Sequence, residues 1–133
     1  MNYNMNIPKE FKYTEEHEWV KIDGNIATIG ITDFAQGELG DIVYIDIDSI
    51  GKEIDVNEIF GTVEAVKTVS DLFMPIKGKV LEINPNIEST PEIVNEAPYD
   101  KGWIIKIEIS ENQDISNLLS ADDYKKMIDN KKK

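Results

Sequence analysis

Trp103-Ile104-Ile105-Lys106-Ile107-Glu108-Ile109 is the stretch whose reading decides the fold. Trp103, Ile105, Ile107 and Ile109 fall on one side of an extended chain, and Ile104, Lys106 and Glu108 on the other, because side chains in a strand alternate with period two. The same period recurs upstream. Ala27, Ile29 and Ile31 alternate with Ile26, Thr28 and Gly30, and Val43, Ile45 and Ile47 alternate with Tyr44, Asp46 and Asp48. Shorter strand-like runs cover Trp19–Ile22, Ile59–Val66, Phe73–Ile76 and Lys79–Ile83, punctuated by Asp23-Gly24, Ile50-Gly51, Lys77-Gly78 and Asn84-Pro85. Many short strands at this spacing predict an all-β-dominated sandwich or barrel rather than a parallel α/β sheet.

Two helices interrupt the pattern. A short one is predicted near Thr32–Leu39, where Asp33 and Gln36 have capping-box spacing. A second is predicted from Ser120 to about Asn130, with Ser120 as N-cap, Asp122 and Asp123 in the first turn, and Lys125, Lys126 and Lys131–Lys133 toward the end. That is the charge order a helix dipole favours. Tyr124, Met127 and Ile128 give this helix a narrow apolar stripe. One domain is expected over residues 9–128, with residues 1–8 and 129–133 as flexible termini.

Composition removes several function classes. With 133 residues, the chain is long enough to bury a core without staples. It has 26 acidic against 14 basic residues, a net charge of −12, and every basic residue is lysine. That balance argues against nucleic acid or an anionic membrane as partner, since phosphate recognition draws on Lys and Arg. No apolar run approaches the roughly 20 residues that span a bilayer, and Met1–Glu10 lacks the apolar core of a signal peptide. The expected location is the cytoplasm.

Side-chain catalysis has little to work with. The chain holds no cysteine and one histidine, His17, which beside Trp19 reads as a structural hydrogen-bonder. A Gly-x-Ser-x-Gly elbow and a Walker loop are both missing. Asp46-Ile47-Asp48-Ser49-Ile50-Gly51 begins like a calcium loop, but Ile50 stands where an oxygen ligand is needed and Asn57 where glutamate is. Asp46 and Asp48 read instead as the solvated face of a strand. Trp19, Trp103 and Phe34 read as core residues.

Lys67 is left. It lies between two strand-like runs, flanked by apolar Val66 and Val69 with Glu64 and Asp71 further out. Spacing alone favours a solvated lysine on a tight turn.

The run Gly61-Thr62-Val63-Glu64-Ala65-Val66-Lys67-Thr68-Val69-Ser70-Asp71 resembles the lipoylation segment of the glycine cleavage system H-protein family, which usually reads Glu-Ser-Val-Lys-Ala-x-Ser-Asp. Glu64, Val66, Lys67, Ser70 and Asp71 match, while Ala65 replaces serine and Thr68 replaces alanine. The resemblance extends to His17-Glu18-Trp19-Val20, Gly30–Gln36, Leu39–Val43, Gly78–Asn84, Pro98–Ile104 and Leu118–Tyr124, in order along nearly the whole chain.

The resemblance implies a lipoyl-type flattened barrel, or barrel-sandwich hybrid, with a short helix in its N-terminal half and a C-terminal helix. It implies a carrier rather than an enzyme, with lipoic acid joined by an amide to Lys67, and with Glu64, Val66 and Ser70 as the context the modifying enzyme reads. Such an arm reaches on the order of 10–15 Å by bond geometry. The implied partners are a pyridoxal-phosphate glycine decarboxylase, a tetrahydrofolate-dependent aminomethyltransferase, dihydrolipoamide dehydrogenase with FAD and NAD, and a lipoate ligase or octanoyltransferase. Glu18 and Asp71 match acidic residues near a cleft for the arm, and Glu16 and Glu38 fall at neighbouring positions. The lack of cysteine either protects the arm from thiol exchange or reflects a composition poor in cysteine. Rival readings are a lipoyl or octanoyl relay to other lipoyl domains, and an unmodified interaction domain. A biotin carrier would place methionine where Val66 and Thr68 stand, and a 2-oxoacid dehydrogenase lipoyl domain would lack the His17-Glu18-Trp19 opening.

Overall fold

The computed structural model describes residues 6–131 apart from residue 114; Met1–Met5 of the expected N-terminal tail, and Lys132 and Lys133, lie outside the described residues. The chain runs β1 (Lys12–Tyr13), β2 (Glu18–Asp23), β3 (Ile26–Ile31), α1 (Asp33–Leu39), β4 (Ile42–Asp46), β5 (Glu53–Ile54), β6 (Ile59–Ala65), β7 (Val69–Phe73), β8 (Gly78–Ile83), α2 (Pro85–Ser89), α3 (Ile93–Glu96), β9 (Ile105–Ile109) and α4 (Ala121–Lys131). One sheet has the order β1-β2-β3-β9-β8-β5 and the other β4-β6-β7, with every pairing antiparallel.

The alternation in β9 and β3 is realised as expected. Ile105 and Ile107 are buried while Glu108 is exposed, and Ala27, Ile29 and Ile31 are buried on the partner strand. These residues form one apolar cluster with Ile42, Ile45, Phe60, Val63 and Leu72 from the smaller sheet. Each fully buried aliphatic or aromatic side chain contributes roughly 1.5–3 kcal/mol, so this interior is the main source of stability.

A second cluster forms on the far side of β2. Trp19 faces away from Val20 and packs with Phe11, Tyr13, Ala121, Tyr124 and Ile128. The stripe predicted on the last helix is therefore what seats α4, with Tyr124 stacked on Tyr13 at 4.9 Å between ring centroids. Ser120 caps α4 as expected, its Oγ accepting from the Asp123 N–H at 3.1 Å. Gly30 lies opposite Trp19 in the β2–β3 register, where a Cβ would meet the indole at 2.6 Å from Nε1.

Several expectations are corrected. At α1 the cap is Thr32, whose side chain accepts from the Ala35 N–H, while Asp33 already lies inside the helix and accepts from Gln36 Nε2. Val43 is exposed and Ile42 buried, because a register shift between Ile42 and Tyr44 breaks the alternation in β4. The strand expected at Phe73–Ile76 lies earlier, at Val69–Phe73; Met74 instead turns its backbone to the Asn57–Glu58 loop, donating to Glu58 O and accepting from Asn57 N–H at 2.8 Å each. Trp103 and Phe34 are only half-buried, at the margin of the second cluster. Asn6 and Pro8 accept hydrogen bonds from Tyr99 Oη and Tyr13 Oη.

Candidate functional site

Lys67 stands at the reversal between β6 and β7. The Ala65 N–H donates to Thr68 O at 2.8 Å, closing the turn around Val66 and Lys67, and the Val66 N–H donates to Asp41 O at 3.0 Å. Among the described residues neither Val66 nor Lys67 has positive φ, so the reversal uses no Asn-Gly-type turn. The second tether to Asp41 ties the tip to the start of β4.

The lysine is exposed, and neither ion pair of the described residues involves it. Its stem lies over Gly40, the residue that ends α1. A Cβ on Gly40 would stand 3.4 Å from Lys67 Cε, and its φ of 78° suits glycine alone. Asn95, in α3, holds this corner. Its Nδ2 donates to Gly40 O at 2.8 Å and to Gln36 Oε1 at 3.0 Å, and its Oδ1 accepts from the Ile42 N–H at 3.0 Å.

Apolar side chains surround the lysine on the outer face. Val66 is 74% and Val69 63% exposed. Glu64 sits between Tyr44 and Val69 in the cross-strand register, so the acid and these apolar groups share that face. Ser70 lies opposite Val63 and turns the other way, into a cleft.

That cleft encloses about 210 Å³. Glu16, His17 and Glu18 form one wall, Phe34, Ala35, Glu38 and Leu39 of α1 the second, and Ser70, Asp71 and Leu72 of β7 the third, with Ile31 and Val63 at the floor. Its lining comes close to Lys67 in the chain: Leu39 precedes Gly40, over which the lysine stem lies, and Ser70 follows Lys67 by three residues. Among the described residues, four carboxyl groups and no lysine line it.

The four acids are not alike. Glu18 is 2% exposed, and burial pushes its carboxyl up to about 8, against hydrogen bonds from Thr14 Oγ1 at 2.7 Å and the Phe73 N–H at 3.3 Å that favour the ionised form. Burial thus raises the proton affinity of Glu18 well above that of an ordinary carboxyl group. Glu16, Glu38 and Asp71 are exposed carboxylates.

The model of the glycine cleavage H-protein family matches residues 11–131. The chain belongs to this family. Glycine cleavage system H proteins of Staphylococcus epidermidis and Halalkalibacterium halodurans are 55% and 54% identical to it, covering 93% and 92% of this chain and 98% and 96% of theirs. A glycine cleavage system H protein from Mycobacterium marinum superposes with a TM-score of 0.85 at 32% identity, covering 92% of this chain and 99% of that one. H proteins are carrier subunits of the lipoyl class rather than catalysts, and the two-sheet fold with a C-terminal helix is that of the family.

Of the residues singled out in the sequence, the structure brings Glu18, Ser70 and Asp71 to one cleft and leaves Glu64 and Val66 on the outer face around Lys67. Glu16 and Glu38 join the cleft. Asn95 and the Gly40 corner were missed. Their signals were an asparagine after the apolar pair Ile93-Val94 and a glycine just past Leu39, where helices commonly end.

Proposed function

We propose that Lys67 carries a lipoyl group, amide-linked through Nζ, and that the cleft beside it receives the free end of the arm during glycine cleavage. The observation that carries this reading is the placement of an exposed lysine at a doubly tethered hairpin tip, next to an acid-lined cleft. The site suits the group. Lys67 is open to an acylating enzyme, exposed at the tip between the exposed Val66 and Thr68. Ile31, Phe34, Leu39 and Leu72 offer an apolar lining for a hydrocarbon chain.

When attached, the lipoyl group supplies the sulfur chemistry that accepts an aminomethyl unit and two electrons. The protein's own residues supply position and charge. Glu16, Glu38 and Asp71 favour an ammonium group at the cleft over a neutral or anionic one. Glu18 offers acceptor oxygens from its buried place, and a nearby cation lowers its proton affinity. The walls exclude part of the water that would otherwise reach a labile amine.

The partners in this reading are a pyridoxal-phosphate glycine decarboxylase, a tetrahydrofolate-dependent aminomethyltransferase, dihydrolipoamide dehydrogenase and the ligase or octanoyltransferase that acylates Lys67, all meeting the protein in the cytoplasm. The acidic cleft favours this role over a lipoyl relay, which needs the exposed lysine but no site for a cation. The test is the intact mass of the protein purified from its own cells, with peptide mapping around Lys67. A lipoyl or octanoyl increment on Lys67, lost in Lys67→Arg, is expected. A biotin increment, or an unmodified lysine in cells that lipoylate other proteins, overturns the reading.

A further inference from the structure

His17 lines the cleft from a backbone position with φ of 72°, held by the Thr32 N–H donating to its carbonyl at 3.0 Å. Its Nδ1 lies 2.8 Å from Tyr124 Oη, and Tyr124 Oη lies 2.7 Å from Thr32 Oγ1. Thr32 Oγ1 also accepts from the Ala35 N–H as the cap of α1. Thr32 and Tyr124 are both fully buried.

The hydrogens in this chain can be counted. The Thr32 hydroxyl hydrogen has one acceptor within reach, Tyr124 Oη, so Thr32 donates to the tyrosine. The Tyr124 hydrogen then has one acceptor left, His17 Nδ1. Nδ1 is thereby an acceptor with a lone pair, and the ring hydrogen of the neutral imidazole sits on Nε2. A proton on Nδ1 reverses the sequence of donors. Tyr124 would have to donate to Thr32 Oγ1, and the threonine's own hydrogen would be left without a partner in a buried place, which is costly.

We infer that Thr32 and Tyr124 are positioning residues that hold His17 as the neutral imidazole protonated on Nε2, so that the C-terminal helix sets the charge of the one imidazole in the cleft wall. Its meaning for function rests on the reading of the cleft as a cation site, where an imidazolium would oppose the incoming charge. Among the described residues, the titratable groups facing the cleft with His17 are Glu16 and Glu18 from its own segment, Glu38 from α1 and Asp71 from β7, with Tyr124 against the ring from α4. The ionised carboxylates among them draw a proton toward the imidazole. The hydroxyl chain works against that pull, and burial keeps the Tyr124 hydroxyl protonated far above neutral pH.

His17 is the single histidine of the chain, so a long-range nitrogen–carbon correlation spectrum of the full-length, histidine-labelled protein reads this ring alone. At mildly alkaline pH the spectrum is expected to show Nδ1 unprotonated and Nε2 protonated. Tyr124→Phe keeps the ring stacked on Tyr13 and removes the hydroxyl. It is expected to abolish the tautomer preference and shift the imidazole titration upward in pH. Thr32→Ser keeps both the cap and the hydroxyl and is expected to retain the wild-type spectrum. A wild-type ring protonated on Nδ1, or a tautomer and titration unchanged in Tyr124→Phe, overturns the inference; the wild-type spectrum decides it even if that variant does not fold. The protein is used without its lipoyl group, so an unmodified Lys67 in cells would sink the carrier reading and leave this result untouched.

Discussion

The stem of Lys67 rests on Gly40, the last residue of the α1 corner, and no other amino acid suits that backbone. Its φ of 78° is strained for any side chain, and a Cβ would stand 3.4 Å from Lys67 Cε and 3.9 Å from Nζ. Gly40→Ala is expected to cost on the order of 1–3 kcal/mol through the backbone, read as a lower urea midpoint. It is also expected to slow acylation of Lys67 by a purified ligase, because relief of the strained φ shifts the corner that lies under the lysine stem. Lys67→Arg, which leaves the corner intact, should keep the wild-type midpoint. Acylation at the wild-type rate in a folded Gly40→Ala protein would remove the corner from any part in presenting the lysine.

Glu18 gives the fold a pH dependence of defined sign. Its carboxyl is raised from 4.5 to about 8, chiefly by burial. Between those values the folded protein holds a proton that the unfolded chain has lost, so unfolding releases it and stability falls as pH rises across the window. The favourable contribution is complete below the lower value and gone above the upper one. Glu18→Gln, which resembles the protonated acid, is expected to flatten this slope. Urea midpoints measured at pH values near 5 and near 8.5 check it: the drop seen in the wild type should shrink in the variant, and an equal drop in both would place the dependence elsewhere.

What the sequence made legible follows from where each element lies. β3 and β9 are inner strands of the large sheet, paired on both edges without a bulge between them, so their alternation survives intact. In β4 a register shift moves Val43 outward, and no residue type announces it. β1 and β5 have two residues each, too few to show a period. Asn84-Pro85 was read as punctuation, yet Asn84 caps α2, its side chain accepting from the Asn86 N–H with Pro85 in the first turn. The cleft is assembled from the turn before β2, from α1 and from β7, so no local pattern contains it. Glu18 and Asp71 were reached through family resemblance, and the raised proton affinity of Glu18 follows from a burial that the sequence does not show.

Gly30 tests how tightly the second cluster is built. A Cβ there would meet Trp19 at 2.6 Å from Nε1 and 2.8 Å from Cζ2, and the indole is pinned by donating to Pro98 O at 2.9 Å. Gly30→Ala must therefore displace a fully buried tryptophan, at a cost of roughly 1–3 kcal/mol for overpacking. A red-shifted and weaker tryptophan emission is expected alongside a lower urea midpoint. Because Trp103 also emits, the shift is best measured against a Trp103→Phe background. Unchanged emission and midpoint would mean that β2 and β3 can separate locally without loss.

Asp71 is the acid of the cleft carried by the lysine's own hairpin, four residues after Lys67, and it is exposed. An exposed carboxylate acts on a neighbouring cation through water, so its effect is modest and screened by salt. If it helps hold an ammonium group in the cleft, Asp71→Asn should speed the loss of ammonia from the loaded carrier by a few-fold at low ionic strength. Added salt should raise the wild-type rate more than the variant's, in which only Glu16 and Glu38 remain to be screened. Ammonia release followed at two salt concentrations in both proteins separates this from a change of shape, which would speed release at either concentration alike. Equal rates at low salt would leave Glu16 and Glu38 as the carboxylates that matter.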